Sequence, residues 1–104
     1  MEFITSKSNE KVKYIKNLNE KKFREKYNAF YLEGIKVVNE ILDRKEAVNI
    51  LFIAYSNEIL STKNDGEKLI KRLESEKIEK VEFSKQIFEY VTDTVTTQGV
   101  IVVL

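Results

Sequence analysis

The sequence has 104 residues, 42% of them hydrophobic and 34% charged, which fits one soluble globular domain with a single modest core. It contains neither Cys nor His, so a disulfide framework, a Cys/His zinc site and any Cys-His or Ser-His-Asp nucleophile are excluded. The net charge of +1 conceals an asymmetry: residues 1–26 carry eight Lys or Arg against four Glu, whereas residues 27–104 carry ten basic against thirteen acidic residues.

The basic first quarter reads as one helix over about residues 9–26. Ser8 is placed to cap it, because a hydroxyl there can accept an orphan N–H. Val12, Ile15, Leu18 and Phe23 form the apolar stripe, with Tyr14 and Tyr27 beside it, and lysines fill the other faces. Ala29 to Glu33 is short, aromatic and strand-like, and Gly34 ends it. Ile35, Val38, Ile41 and Leu42 fit a second helix to about Arg44. Asn49 to Tyr55 is a nearly continuous apolar run, suited to a central strand buried on both faces. Leu69, Ile70 and Leu73 mark a third helix after Asp65-Gly66, and Lys80 to Phe83 is a short strand. Ser84 caps a fourth helix carrying Ile87, Phe88 and Val91, and Gly99 to Leu104 is a last apolar strand.

This alternation predicts an α/β fold: a mostly parallel or mixed sheet with helices on both faces, a three-layer α/β/α sandwich. A sequence that finishes in an apolar strand leads us to expect a polypeptide continuing into a further domain. No stretch approaches the roughly 20 apolar residues of a membrane span, and the charged start is no signal peptide. Together with the lack of Cys, this points to a cytoplasmic protein without membrane contact.

The three glycines, Gly34, Gly66 and Gly99, are far apart, so no P-loop or dinucleotide fingerprint exists. Most Glu alternate with Lys at helical spacing, as on a solvated helix face. The basic first helix has two readings. It is a solvated amphipathic helix, or its cations neutralise the phosphates of a polyanion while Ser6, Ser8 and Asn9 at its start fix register. Tyr14, Tyr27 and Tyr31 either pack in the core or stack on unpaired bases. Thr92, Thr94, Thr96, Thr97 and Gln98 form a polar loop that is a plain connection or a second RNA contact. Glu33 closes a strand where its carboxylate can accept backbone N–H groups, and Gly34 fits a turn that requires glycine.

These residues resemble a known family. Ile4-Thr5-Ser6, Asn9, Val12-Lys13, Leu18, Lys21-Lys22 and Arg24 are similar to the opening of the substrate-binding domain of SpoU/TrmH-type RNA 2′-O-ribose methyltransferases. Phe30-Tyr31-Leu32-Glu33-Gly34, followed by Lys36-Val37-Val38-Asn39-Glu40, resembles that domain's second signature. Thr96-Thr97-Gln98-Gly99-Val100 resembles the closing one, with Thr97 where the family usually carries Pro. The resemblance implies a fold related to the kink-turn-binding ribosomal proteins and a role in docking RNA, ribosomal RNA first and transfer RNA next. Ser6, Asn9, Lys13, Lys21, Lys22, Arg24 and Gln98 are then the expected RNA-binding residues, and Glu33, Gly34 and Gly99 the structural motif. It also implies a separate knotted domain after residue 104. That domain would bind S-adenosylmethionine, transfer the methyl group and carry any homodimer contact. No catalytic or metal-binding residue is expected in this chain. A free-standing RNA-binding or ribosomal protein and a protein-interaction module are the alternative readings.

Overall fold

The computed structural model describes residues 2–94 and 96–104. In chain order the elements are β1 (Phe3–Ile4), α1 (Glu10–Asn17), α2 (Lys21–Tyr27), β2 (Tyr31–Glu33), α3 (Ile35–Asp43), β3 (Phe52–Tyr55), α4 (Asn57–Leu60), α5 (Gly66–Ser75), β4 (Lys80–Phe83), α6 (Lys85–Val91) and β5 (Val100–Val103). The strands form one five-stranded sheet in the order β1-β4-β3-β5-β2. β1, β4 and β3 run parallel, while β5 is antiparallel to both β3 and β2, so the sheet is mixed.

β3 lies at the centre, and all four of its residues are buried, as are all four of β5. Because side chains alternate along a strand, each contributes to two cores. Phe52, Ala54, Ile101 and Val103 pack with Val12 and Ile15 of α1 and Ile87, Phe88 and Val91 of α6. Ile53, Tyr55, Val100 and Val102 face the other way, onto Val38 and Leu42 of α3 and Leu69 and Leu73 of α5. The expected α/β/α sandwich is therefore the observed one. Among the described residues no helix is long and apolar enough to cross a membrane.

Four local expectations need correction. The single helix over residues 9–26 is two helices, broken at Leu18-Asn19-Glu20. Leu18, which is buried, and Phe23, which is half-buried beside Tyr27, lie about 140° apart on a straight helix, so one helix could not turn both toward the same core. In the break the Asn19 amide donates to the Val91 carbonyl at 2.8 Å, and its oxygen accepts from the Tyr31 hydroxyl at 2.5 Å. The cap of α1 is Asn9 rather than Ser8: its side-chain oxygen accepts from the N–H of Lys11 at 2.9 Å and of Val12 at 3.4 Å. Ser8 instead pairs with the Ser6 hydroxyl at 2.7 Å. The central strand begins at Phe52, three residues into the expected run from Asn49, and Leu51 is 40% exposed. The strand expected from Ala29 begins at Tyr31. The cap by Ser84 holds, with its hydroxyl accepting from the Ile87 N–H at 3.3 Å.

Candidate nucleic-acid interface

Two of the signature segments, some sixty residues apart in sequence, meet in space because β2 pairs with β5. Glu33 ends β2, and its carboxylate accepts hydrogen bonds from the hydroxyls of Thr94, at 2.5 Å, and of Thr97. The Thr97 oxygen in turn accepts the buried N–H of Gly99 at 3.1 Å. A proline at position 97 could do neither. The Gln98 side-chain oxygen accepts the Ile35 N–H at 2.8 Å. It thereby caps α3, whose own N-cap, Gly34, has no side chain to offer.

Both glycines of this unit are required by geometry. Gly99 has a φ of +87°, and a Cβ there would come within 2.9 Å of the Ile59 Cβ and the Leu60 nitrogen. Gly34 has a φ of +128°, with its missing Cβ 3.3 Å from the Gln98 oxygen. Such backbone angles are open mainly to glycine. A cavity of about 370 Å³ opens on the unit, lined by Glu33, Gly34, Lys36, Val37, Glu40 and Gln98. Gln98 is exposed, and its amide nitrogen has no partner among the described residues.

The other candidate residues lie on α1, on α2 and in the segment leading to them. Among the described residues they share no hydrogen bond or ion pair with the Glu33–Gln98 unit. Lys13 is exposed on α1 and, among the described residues, has no carboxylate within 4 Å. Lys21 and Lys22 form loose, exposed pairs with Glu25, at 3.8 Å, and Glu20, at 3.9 Å. Pairs of that kind hold a cation weakly. Arg24 is half-buried and donates to the Leu18 carbonyl at 2.9 Å, closing the end of α1 while its remaining N–H groups stay available. Asn9 caps α1 with its oxygen and keeps its amide N–H groups. Ser6 accepts the Ser8 N–H at 3.2 Å.

The tyrosines divide between packing and hydrogen bonding. Tyr14 and Tyr27 stack on each other, with ring centroids 4.9 Å apart and planes 16° apart. Burial pushes the Tyr31 hydroxyl above its ordinary pKa, and the hydroxyl is the donor to Asn19. Sequence reasoning missed a third arrangement. The ammonium groups of Lys7 and Lys16 lie 4.5 and 4.6 Å from the centre of the Tyr90 ring. Tyr90 belongs to α6, and an aromatic residue in an amphipathic helix reads as core, so nothing local marks it. Among the described residues no three metal-ligating side chains cluster.

A family profile described as the MRM3-like substrate binding domain matches residues 9–102. No curated protein matches the chain. Among solved structures, an rRNA methyltransferase from Sinorhizobium meliloti is similar with a TM-score of 0.71 and 24% identity, over 98% of this chain and 36% of that one. An AdoMet-bound rRNA methyltransferase from the same organism is similar with a TM-score of 0.70 and 24% identity, over 98% and 35%. An RNA 2′-O ribose methyltransferase gives a TM-score of 0.74 at 19% identity, over 97% of this chain and 36% of that one. The chain thus spans about a third of the length of these structures, and shares its fold with that third.

Proposed function

Because the chain belongs to the MRM3-like substrate binding domain family, we propose that it recognises RNA for an S-adenosylmethionine-dependent 2′-O-ribose methyltransferase acting on ribosomal RNA. The observation that carries this is the family match over nearly the whole chain, joined to a fold shared with about a third of each methyltransferase. In this reading residues 1–104 are the substrate-binding domain. Cofactor binding, methyl transfer and any homodimer contact belong to a knotted domain after residue 104. The Sinorhizobium meliloti enzyme carries AdoMet. The residues of this chain do not fit that group: Gly34 and Gly99 are occupied in tight backbone turns, and Gly66 lies within α5.

The chain's own part is attraction and register. Lys13, Lys21 and Lys22 present charge to phosphates, which gives affinity without base preference. Ser6, the free amide hydrogens of Asn9 and Gln98, and the remaining N–H groups of Arg24 offer donors to sugar and phosphate. Glu33, Gly34 and Gly99 hold the loop that carries Gln98.

Two measurements test the proposal. The isolated chain should bind a structured ribosomal RNA fragment in a salt-dependent manner and should show no heat of binding with S-adenosylmethionine. The full-length protein should add methyl groups to ribose 2′-oxygens of ribosomal RNA, read by mass spectrometry of RNA fragments. Micromolar cofactor binding by this chain, or no RNA binding, would overturn it.

A further inference from the structure

We propose that the RNA sugar-phosphate backbone is gripped by Lys7 and Lys16 over the ring of Tyr90, with Lys13 one turn before Lys16 on α1, a proposal that rests on RNA being the partner. The patch joins the loop before α1, the exposed side of α1 and the last turn of α6. It differs from the surface that charge density alone singles out.

The distinction lies in which cations converge without a carboxylate beside them; the exposed pairs of Lys21 and Lys22 hold those cations only weakly. Lys11, Lys21 and Lys22 each have a carboxylate within 4 Å: Glu79 at 3.7 Å, Glu25 at 3.8 Å and Glu20 at 3.9 Å. Among the described residues Lys7, Lys13 and Lys16 have none. Yet Lys7 and Lys16 converge. Both ammonium groups lie within 4.6 Å of one ring centre, so they are at most about 9 Å apart. That separation is comparable with the Debye length of about 8 Å at physiological salt, so the two charges repel. The ring's negative face attracts each of them, and the Tyr90 carbonyl accepts a hydrogen bond from Lys16 at 3.0 Å. Neither contact cancels net charge. Tyr90 is half-buried and packed against the core, so it fixes the two ammonium groups rather than following them. Glu10, three residues before Lys13, Glu20, four after Lys16, and Glu89 and Asp93, within three of Tyr90, are the neighbouring carboxylates in sequence. All are exposed, and among the described residues none pairs with the patch.

Positive charge held together without a counter-charge is complementary to a polyanion. A ring already contacted by two ammonium groups is poorly placed to stack on a base, so the patch should read backbone and be indifferent to sequence.

The test is a salt titration of affinity for a structured ribosomal RNA fragment. The double variant Lys7→Gln/Lys16→Gln should lower the slope of log affinity against log salt by about 1.4, at roughly 0.7 per lost contact to a single strand. Lys68→Gln/Lys71→Gln, which removes the same charge from exposed positions of α5, should leave the slope unchanged. Tyr90→Phe keeps the ring and should bind as wild type. Tyr90→Leu should weaken binding with no change in charge. If the larger substitution disturbs folding by circular dichroism, Lys7→Gln alone is decisive, since among the described residues Lys7 makes no hydrogen bond or ion pair. Wild-type binding with an unchanged slope in the double variant would overturn the patch and leave the RNA reading intact. An equal loss in the α5 variant would overturn it as well. Absence of RNA binding by wild type would overturn both.

Discussion

Each helical layer holds one cluster of cations, and the two clusters are held in opposite ways. In the layer of α3 and α5, Arg72 donates to Asp43 at 2.8 Å and to the Asn39 side chain at 3.0 Å, and lies 3.5 Å from Glu76. Lys45 reaches the other Glu76 oxygen at 2.7 Å. In the layer of α1, α2 and α6, Lys7, Lys13 and Lys16 have no carboxylate partner among the described residues, and two of them lie over one aromatic ring. Charge engaged in a network ties helices together. Charge left unpaired is available to a ligand. The density of lysines in the sequence does not separate these cases; the geometry does.

The Glu33–Gln98 unit joins α3 of one layer to the loop that follows α6 of the other, so it is where the comparison can be broken most severely. Gly99→Ala places a β-carbon at a φ of +87° and within 2.9 Å of Ile59 and Leu60. Backbone strain and overpacking each cost about 1–3 kcal/mol, so a loss near 3 kcal/mol or more is expected. For a domain of this size that lowers Tm by more than about 10 °C, checked by thermal unfolding. A near-wild-type Tm would mean the two layers do not depend on this junction.

Arg72→Met sharpens the comparison at smaller scale. It removes a cation from the networked layer, so it should cost about 1 kcal/mol of stability, as expected for a partly exposed ion-pair network. Its RNA salt slope should match wild type. A reduced slope at unchanged stability would assign Arg72 to binding and erase the contrast between the layers.

Several parts of this architecture were legible from residues alone, for identifiable reasons. β4 was placed at its observed bounds because Lys80-Val81-Glu82-Phe83 alternates cleanly and Ser84 punctuates it. The double-sided burial of β3 followed from its apolar run, and β5 was legible as a last apolar strand. The break between α1 and α2 was not legible. It depends on Asn19 meeting Val91 and Tyr31, partners 72 and 12 residues away. β1 has two residues and exists through its pairing with β4, so no periodicity could show it. The site divides similarly. The residues of the Glu33-Gly34 and Gln98-Gly99 signatures could be named, but their shared hydrogen bonds are a product of sheet topology. Tyr90 could not be found at all, since its role depends on lysines more than seventy residues away.

The smallest expected effect concerns pH and tests whether the α3–α5 network is truly ionic. The Glu76 side chain is 12% exposed. Its hydrogen bond from Lys45, assisted by Arg72, holds its carboxyl below the ordinary glutamate range, against the opposing effect of burial. The unfolded chain therefore binds this proton more tightly than the folded one. The stabilisation is fully present above the unfolded glutamate pKa of about 4.3 and is lost as pH falls through the lower folded value. Glu82 on β4 acts in the opposite sense. Burial raises its pKa, so its contribution favours the fold below the unfolded value and fades as pH rises through the folded one. The wild-type curve mixes the two, and comparison with Glu76→Gln isolates the first. Denaturant midpoints should show the variant less stable than wild type at neutral pH, with the gap closing on acidification below the carboxylate range. A gap that stays constant across that range would mean Glu76 contributes by shape and hydrogen bonding alone. The networked layer would then hold its cations no more firmly than α1 holds Lys13.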